Sequence, residues 1–434
     1  MPVQVTNTID SVVRLLGALR TGCTVAVIDA NAPQPELDRQ IGAIDAAFDE
    51  LVGPAAPATA SVATTSLATT SLAGRSGAGR WILMTGGSTG QPRPVVGPRS
   101  LAWDTSRGVP LLLRLTGWRP GQVQLVMGPL HHAAPFTCLL DAMLGGNTVV
   151  IPSAFTPELL FDLVDEFRVE WTQLTPVHMR LAEPLLGADA CRLRSLRAVL
   201  HTAAPCPVGT KTAWLDAVGA HRLYEMYAAT EGIGTTLCRG PEWRERPGTV
   251  GRGVMTRIRI LDEHLRDVPV GEVGQVYMRG PDRAVPAAWP AGRPSAGAAV
   301  TRGFRTVGDQ GRLDRDGYLY LAGRKDDLVL VGGENVYLGE VEAALFTHGG
   351  VRDVVVIAVA DPMLGASLRA YVVPRDGARL DERSLRAHCR RRLPPSKTPQ
   401  VFDVVDHVPR NAAGKLQRFR LGGVASQRCG GAGR

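Results

Sequence analysis

The chain has 434 residues, room for two or three domains with ample core, and an ordinary balance of 44% apolar and 21% charged residues. No run approaches the ~18 apolar residues of a membrane span, and Met1-Pro2-Val3-Gln4-Val5 lacks the basic-then-apolar order of a signal peptide, so a cytoplasmic protein is expected. The net charge of +8 is carried mostly by arginine, and aromatics at 5% are too sparse for stacking platforms; this argues against nucleic acid and leaves a phosphorylated small molecule as the partner of the positive field.

In chain order, residues 9–22 space Val12, Val13, Leu16 and Leu19 as a helix face, and Thr24-Val25-Ala26-Val27-Ile28 reads as a strand. Residues 53–80, rich in Ala, Ser, Thr and Gly, read as a linker or surface loop. Trp81-Ile82-Leu83-Met84 has the profile of a buried strand and runs into Thr85-Gly86-Gly87-Ser88-Thr89-Gly90-Gln91-Pro92-Arg93. Strands expected at 122–127, 147–151, 171–174 and 196–200 are separated by amphipathic stretches such as 156–168 and 207–218. That alternation means βαβ units and a largely parallel sheet covered on both faces. Beyond residue 250 the pattern turns β-rich, at 257–261, 275–278 and 318–321, with a loop-like Ala/Pro/Gly segment at 281–300. From about 326 a compact α+β unit is expected: a helix at 339–347, strands at 353–359 and 369–373, a helix at 381–391 and a strand near 401–405. The seven cysteines are scattered and form no C-x-x-C pair, which argues against a disulfide framework or a zinc site and fits a reducing cytosol.

The loop at 85–90 holds the strongest local signal. Its glycines allow positive φ and close backbone approach, while Ser88 and Thr89 offer hydroxyls and amide N–H groups to an anion. It is not the G-x-x-x-x-G-K-[ST] loop of common nucleotide triphosphatases, and alone such a turn is more often a flexible loop. Further segments stand beside it in order. They are Pro129-Leu130-His131-His132-Ala133-Ala134-Pro135-Phe136; His201-Thr202-Ala203-Ala204-Pro205; and Tyr224-Glu225-Met226-Tyr227-Ala228-Ala229-Thr230-Glu231-Gly232. Then come Thr306-Val307-Gly308-Asp309; Gly323-Arg324-Lys325-Asp326-Asp327 leading to Gly332-Gly333-Glu334-Asn335; and Pro409-Arg410-Asn411-Ala412-Ala413-Gly414-Lys415.

Together these closely resemble the core motifs of the adenylate-forming superfamily: acyl-CoA synthetases, peptide-synthetase adenylation domains and luciferases. The resemblance covers about residues 9–420 and lies nearest the bile-acid-CoA-ligase type. It implies an α/β fold: a large N-terminal adenylation domain over residues 1–325, built of βαβ sheets plus a β-rich subdomain, and a small mobile α+β lid over 326–434. It implies that a carboxylate is joined to the α-phosphate of ATP, pyrophosphate leaves, and the acyl group passes to a thiol such as CoA.

The same resemblance assigns roles. Thr85, Gly86, Gly87, Ser88, Thr89 and Gly90 would hold the β/γ-phosphates, with Arg93 where relatives usually carry lysine. Glu231 would ligate Mg²⁺, which takes carboxylate oxygens while bridging phosphates. Thr230 would contact the α-phosphate; Tyr227 would stack on adenine, with Ala203, Ala204 and Pro205 lining its other face. Asp309 and Arg324 would hold the ribose, and His132 would gate the acyl site beside His131. Lys415, one of only four lysines with Lys211, Lys325 and Lys397, would bridge the carboxylate and the α-phosphate. Asp326 would be the hinge, and Gly332-Gly333 would face the incoming thiol. Ala133, Ala134, Phe136, Met226 and Ile233 are the expected acyl-pocket positions, apolar and without an anchor for a charged tail.

Relatives typically carry some sixty or more residues ahead of the first helix, so an N-terminal layer is expected to be missing or the start to be placed late. Two alternatives stay open beside the carboxylate–CoA ligase. One is an ATP-dependent diazotase that activates nitrite for transfer to an aromatic amine in natural-product biosynthesis; the other is a non-catalytic nucleotide-binding homologue. A carrier protein is a further candidate acceptor.

Overall fold

A computed structural model describes residues 1–21, 23–52, 81–86, 92–97, 109–280, 303–324, 327–410, 416, 418 and 421. The expected loops at 53–80 and 281–300 lie outside these residues.

The chain opens with a four-stranded sheet of β1 (Pro2–Val5), β2 (Val25–Asp29), β3 (Trp81–Gly86) and β4 (Pro92–Val96). The first three strands are parallel and β4 runs back against β3. The helix Ile9–Arg20 starts where the Thr8 hydroxyl accepts the Ser11 N–H, the usual way a threonine satisfies an orphan amide at a helix start. Its buried stripe is Val12, Leu15, Ala18 and Leu19, whereas Val13 is 41% exposed. The face is therefore displaced from the expected one, because i, i+3, i+7 spacing from Val12 selects Leu15 and Leu19. In the β3–β4 pair, Thr85 lies opposite Arg93 and Gly86 opposite Pro92. Residues 87–91, between these two strands in the sequence, lie outside the described residues.

The central sheet holds β5 (Val123–Val126), β6 (Thr148–Val150), β7 (Trp171–Leu174), β8 (Ala198–His201), β9 (Leu223–Ala228), β10 (Thr235–Arg239) and β11 (Arg252–Gly253). Their order is β11-β10-β9-β8-β7-β5-β6, parallel from β6 through β9 and antiparallel at β10 and β11. All four expected strands are present. One face packs Phe161, Val164, Trp214 and Leu215; the other packs Trp118, Trp171 and Tyr224. A third cluster ties the sheets together, with Val27, Trp81 and Leu83 of the first sheet against Val126, Phe136 and Leu139.

A third sheet is an antiparallel meander of β12 (Arg257–Leu261), β13 (Gly274–Arg279), β14 (Asp309–Leu313) and β15 (Leu319–Arg324). A hairpin of β16 (Leu328–Val331) and β17 (Glu334–Tyr337) follows. Its two-residue turn, Gly332-Gly333, has φ of +58° and +86°, the pair of positive values that the hairpin twist demands and glycine supplies. The chain ends in the helix Leu338–Phe346, β18 (Val351–Asp361), β19 (Gly365–Pro374), the helix Glu382–Arg390 and β20 (Val401–Val404). These elements have their own core of Val336, Val341, Leu345, Val354, Leu368 and Leu385. Among the described residues no helix is long and apolar enough to cross a membrane.

Candidate functional site

Because β5, β7, β8 and β9 run parallel, their C-terminal ends share one edge of the central sheet, where open α/β sheets receive ligands. The segments at 128–136, 201–205 and 227–231 all leave the sheet at this edge.

After β5 the chain turns into the helix Ala133–Leu144, with His132 in extended conformation at its start. Asn7 braces this turn: its amide donates to the Gly128 carbonyl at 3.0 Å and accepts the Leu130 N–H at 3.1 Å. The His131 and His132 rings lie 4.2 Å apart, and His131 Nδ1 is 3.7 Å from Asp29 Oδ1 at the end of β2. Burial pushes the His131 pKa down more than the Asp29 charge lifts it, so the ring is neutral near pH 7. Asn7 and Asp29 carry no motif, and only the packing of the first sheet on the second brings them here.

After β8, His201 is fully buried, Thr202 is buried, and Ala203, Ala204 and Pro205 are exposed. Ala203 has φ +84°, a left-handed conformation that an alanine adopts only under constraint. After β9, Thr230 and Glu231 sit half-buried in a turn closed by the Gly232 N–H on the Ala229 carbonyl at 2.9 Å.

The third sheet supplies the other wall. Asp309 and Arg324 are register partners on β14 and β15, and Arg324 Nε donates to Asp309 Oδ1 at 3.1 Å. The Tyr227 hydroxyl donates to Asp309 Oδ2 at 2.5 Å. Burial and the Asp309 charge drive the Tyr227 phenol far above its ordinary pKa, so it stays a donor. Both Asp309 oxygens are thus engaged, yet a carboxylate offers about four lone-pair positions, leaving capacity for two further hydroxyls. Glu231 has no hydrogen bond or ion pair with any described residue, although its charge reaches the Tyr227 phenol. A half-buried carboxylate without a partner among the described residues fits a Mg²⁺ that would take its remaining ligands from phosphates and water.

Beneath this edge lies a pair that the motifs did not reveal. Lys211, on the helix Val208–Val218, donates to Glu225 of β9, two residues before Tyr227; both are buried. The ammonium also sits 4.8 Å from the centre of the Trp243 ring. Burial raises the Glu225 pKa and Lys211 opposes it, so the pair clamps the helix to the strand that carries the site. The scarcity of lysine marked Lys211 as much as Lys415, but nothing in the sequence named its partner.

Two expected pocket positions belong to the core instead. Phe136 is fully buried against Trp81, with ring centres 5.5 Å apart, and Ile233 is 4% exposed inside the core of the third sheet. Ala133, Ala134 and Met226 are half-buried. Gly87, Ser88, Thr89, Gly90, Lys325, Asp326 and Lys415 lie outside the described residues; Thr85 and Gly86 are placed as the last residues of β3.

Comparison with known proteins adds to this geometry. Residues 77–285 match the model of the AMP-binding enzyme family, and residues 340–415 match that of the AMP-binding enzyme C-terminal domain. A feruloyl-CoA synthase of Amycolatopsis sp is 33% identical over 340 residues, covering 77% of this chain and 67% of that protein. A 2-succinylbenzoate–CoA ligase of Bacillus licheniformis is 30% identical over 343 residues, covering 78% of this chain and 69% of its own length. Among solved structures, the ATP-bound MatB of Rhodopseudomonas palustris superposes with a TM-score of 0.78 at 23% identity, over 98% of this chain and 88% of that one. The amide bond synthetase McbA of Marinactinospora thermotolerans does so at 0.76 and 25%, over 98% and 89%.

Proposed function

The chain belongs to the AMP-binding enzymes, and from that premise we propose that it is an ATP-dependent, AMP-forming ligase that activates a small carboxylic acid and passes the acyl group to the thiol of CoA. The acid's oxygen attacks the α-phosphorus of ATP, the bond to pyrophosphate breaks, and an acyl-adenylate forms. The thiol sulfur then attacks the acyl carbon, AMP departs, and the thiol proton leaves to solvent.

The observation that carries this reading is the Tyr227–Asp309–Arg324 cluster at the C-terminal edge of the parallel strands, beside Glu231, which has no partner among the described residues. Such a cluster presents acceptors to ribose hydroxyls, an aromatic face to adenine and a carboxylate to a divalent ion. Asp309 and Arg324 hold the ribose, and Tyr227 with Ala203, Ala204 and Pro205 holds adenine. Thr230 meets the α-phosphate, Ser88 and Thr89 the outer phosphates. Bound Mg²⁺ on Glu231 would neutralise charge on the phosphates. His132 borders the acyl site, and Lys415 bridges carboxylate and α-phosphate as they converge.

We place the boundary between a large domain and a mobile lid at residues 325/326, with Asp326 as the hinge. The enzyme works in the cytoplasm, in keeping with six described cysteines that are all free. The half-buried Ala133, Ala134 and Met226 suit an apolar or aromatic acid, in line with the aryl acids named for the two relatives. The likeness to an amide bond synthetase favours a second acceptor class, an amine, for the same adenylate. Product analysis over a panel of acids, with nitrite plus an aminoaryl acid included, tests the reading. AMP and pyrophosphate formed with a carboxylic acid support it; ADP and orthophosphate as the nucleotide products, or turnover with nitrite alone, contradict it.

A further inference from the structure

The helix Pro176–Ala182 begins at the C-terminal end of β7, on the site edge, where Thr175 and His178 close a reciprocal cap. Its Arg180 reaches across to the C-terminal unit. Arg180 Nη2 lies 3.2 Å from Asp353 Oδ2 on β18, with the two side chains only 10% and 14% exposed. Its guanidinium carbon lies 4.7 Å from the centre of the Phe346 ring, at the end of the helix Leu338–Phe346. The same Asp353 takes a two-pronged grip from Arg410, Nε to Oδ2 at 2.9 Å and Nη2 to Oδ1 at 2.8 Å.

Arg410 is also the start of the segment that ends in Lys415. Arg410 forms a β-bridge with Leu416, the residue that follows Lys415 in the sequence. Beyond it, Arg418 donates to Glu342 at 2.7 Å, to the Val356 carbonyl at 3.2 Å and to Asp327 at 3.3 Å. Asp353 therefore joins two things: the anchor of the Lys415 segment and a guanidinium rooted at the site edge of the large sheet.

The energetics suit a contact that is made and released. A buried ion pair roughly breaks even against hydration of its partners, so it contributes orientation more than net affinity. Arg180 also keeps one buried nitrogen, Nε, without a hydrogen-bond partner among the described residues. Its environment is thus incompletely satisfied, unlike a permanent core arginine, and water would complete it when the C-terminal unit departs.

We propose that Arg180 is a positioning residue for the adenylation step: through Asp353 it docks the C-terminal unit in the orientation that delivers Lys415 to the α-phosphate, and it touches no substrate. The inference rests on the adenylate-forming reading above. Arg180 belongs to one arrangement of the two units only, so its loss bears on one half-reaction.

The test measures wild type, Arg180→Ala and Arg180→Gln, the latter keeping most of the side chain's volume so that folding survives. Adenylation is followed by acid-dependent ATP–pyrophosphate exchange, and thioester formation is started from supplied acyl-adenylate. The proposal predicts an adenylation rate about tenfold or more lower in both variants, with ATP KM unchanged and thioester formation at or above the wild-type rate. Small-angle scattering of the free protein should show a more extended population in the variants. Equal loss of both half-reactions, or unchanged rates with unchanged scattering, overturns it. Failure of the underlying reading looks different: wild type itself would then show no exchange with any acid, while scattering would still report whether Arg180 docks the unit.

Discussion

Tyr227 and Asp309 stand 82 residues apart in the chain and on different sheets, yet their side chains meet at 2.5 Å. The bond joins the end of β9 to the start of β14, so the wall proposed to face adenine and the wall proposed to face ribose are set by one contact. Removing the phenolic hydroxyl alone, in Tyr227→Phe, should weaken ATP binding modestly, because Arg324 still orients the carboxylate. Asp309→Asn should weaken it about 10–100-fold, since hydrogen bonds to a charged group contribute about 1.5–3 kcal/mol. Isothermal titration with ATP separates the two, and equal affinities for wild type and Asp309→Asn would remove Asp309 from the site.

Ala203 gives a backbone prediction. Its φ of +84° strains any side chain, and a β-branched one most. Ala203→Val should lower unfolding stability by about 1–3 kcal/mol, while Ala203→Gly should leave it within about 1 kcal/mol, strain relief offsetting the freer unfolded chain. Urea unfolding checks both. Equal losses would show that the left-handed conformation is not what constrains this position.

The pH dependence of stability should carry the mark of His178. Its Nδ1 accepts the Thr175 N–H at 3.3 Å, its ring stacks on Phe155, and burial holds its pKa at about 4 against the ordinary 6.5. Between pH 6.5 and 4 the unfolded chain binds this proton more readily, so stability falls as pH falls, by about 3 kcal/mol at the lower end. His131, His201 and His388, also shifted down by burial, act with the same sign. Asp141, pushed up to about 7 by burial, acts oppositely, so the difference between wild type and a variant is the readout. His178→Gln should flatten the loss between pH 7 and 5; parallel curves would contradict the assignment.

Most of the fold was legible in the chain because many of its strands are short apolar runs bounded by polar or turn residues, such as Val25-Ala26-Val27-Ile28. The helix face at residues 9–20 was displaced because Val12, Val13, Leu15, Leu16 and Leu19 leave two helical stripes possible, and only packing on β1 and β2 chooses between them. Of the site, the sequence order showed Tyr227, Thr230, Glu231, Asp309 and Arg324 as separate motifs. The meeting of Tyr227, Asp309 and Arg324 depends on β9, β14 and β15 belonging to two sheets whose contact has no local signature. Asn7, Arg180 and the Lys211–Glu225 pair were out of reach for the same reason: each is a polar residue whose partner lies on another element. Phe136 and Ile233 misled in the opposite way, because an apolar residue near a motif reads equally as pocket wall or as core.

The central claim is a two-step ligase in which Lys415 serves the first step. The most direct measurement is acid-dependent ATP–pyrophosphate exchange in wild type and Lys415→Ala, beside thioester formation from preformed acyl-adenylate. Loss of one preorganised charge contact at a developing anion commonly costs on the order of 10²–10³ in rate. The account predicts that loss in exchange, with ATP affinity and thioester formation nearly unchanged. Exchange at the wild-type rate in Lys415→Ala would contradict it.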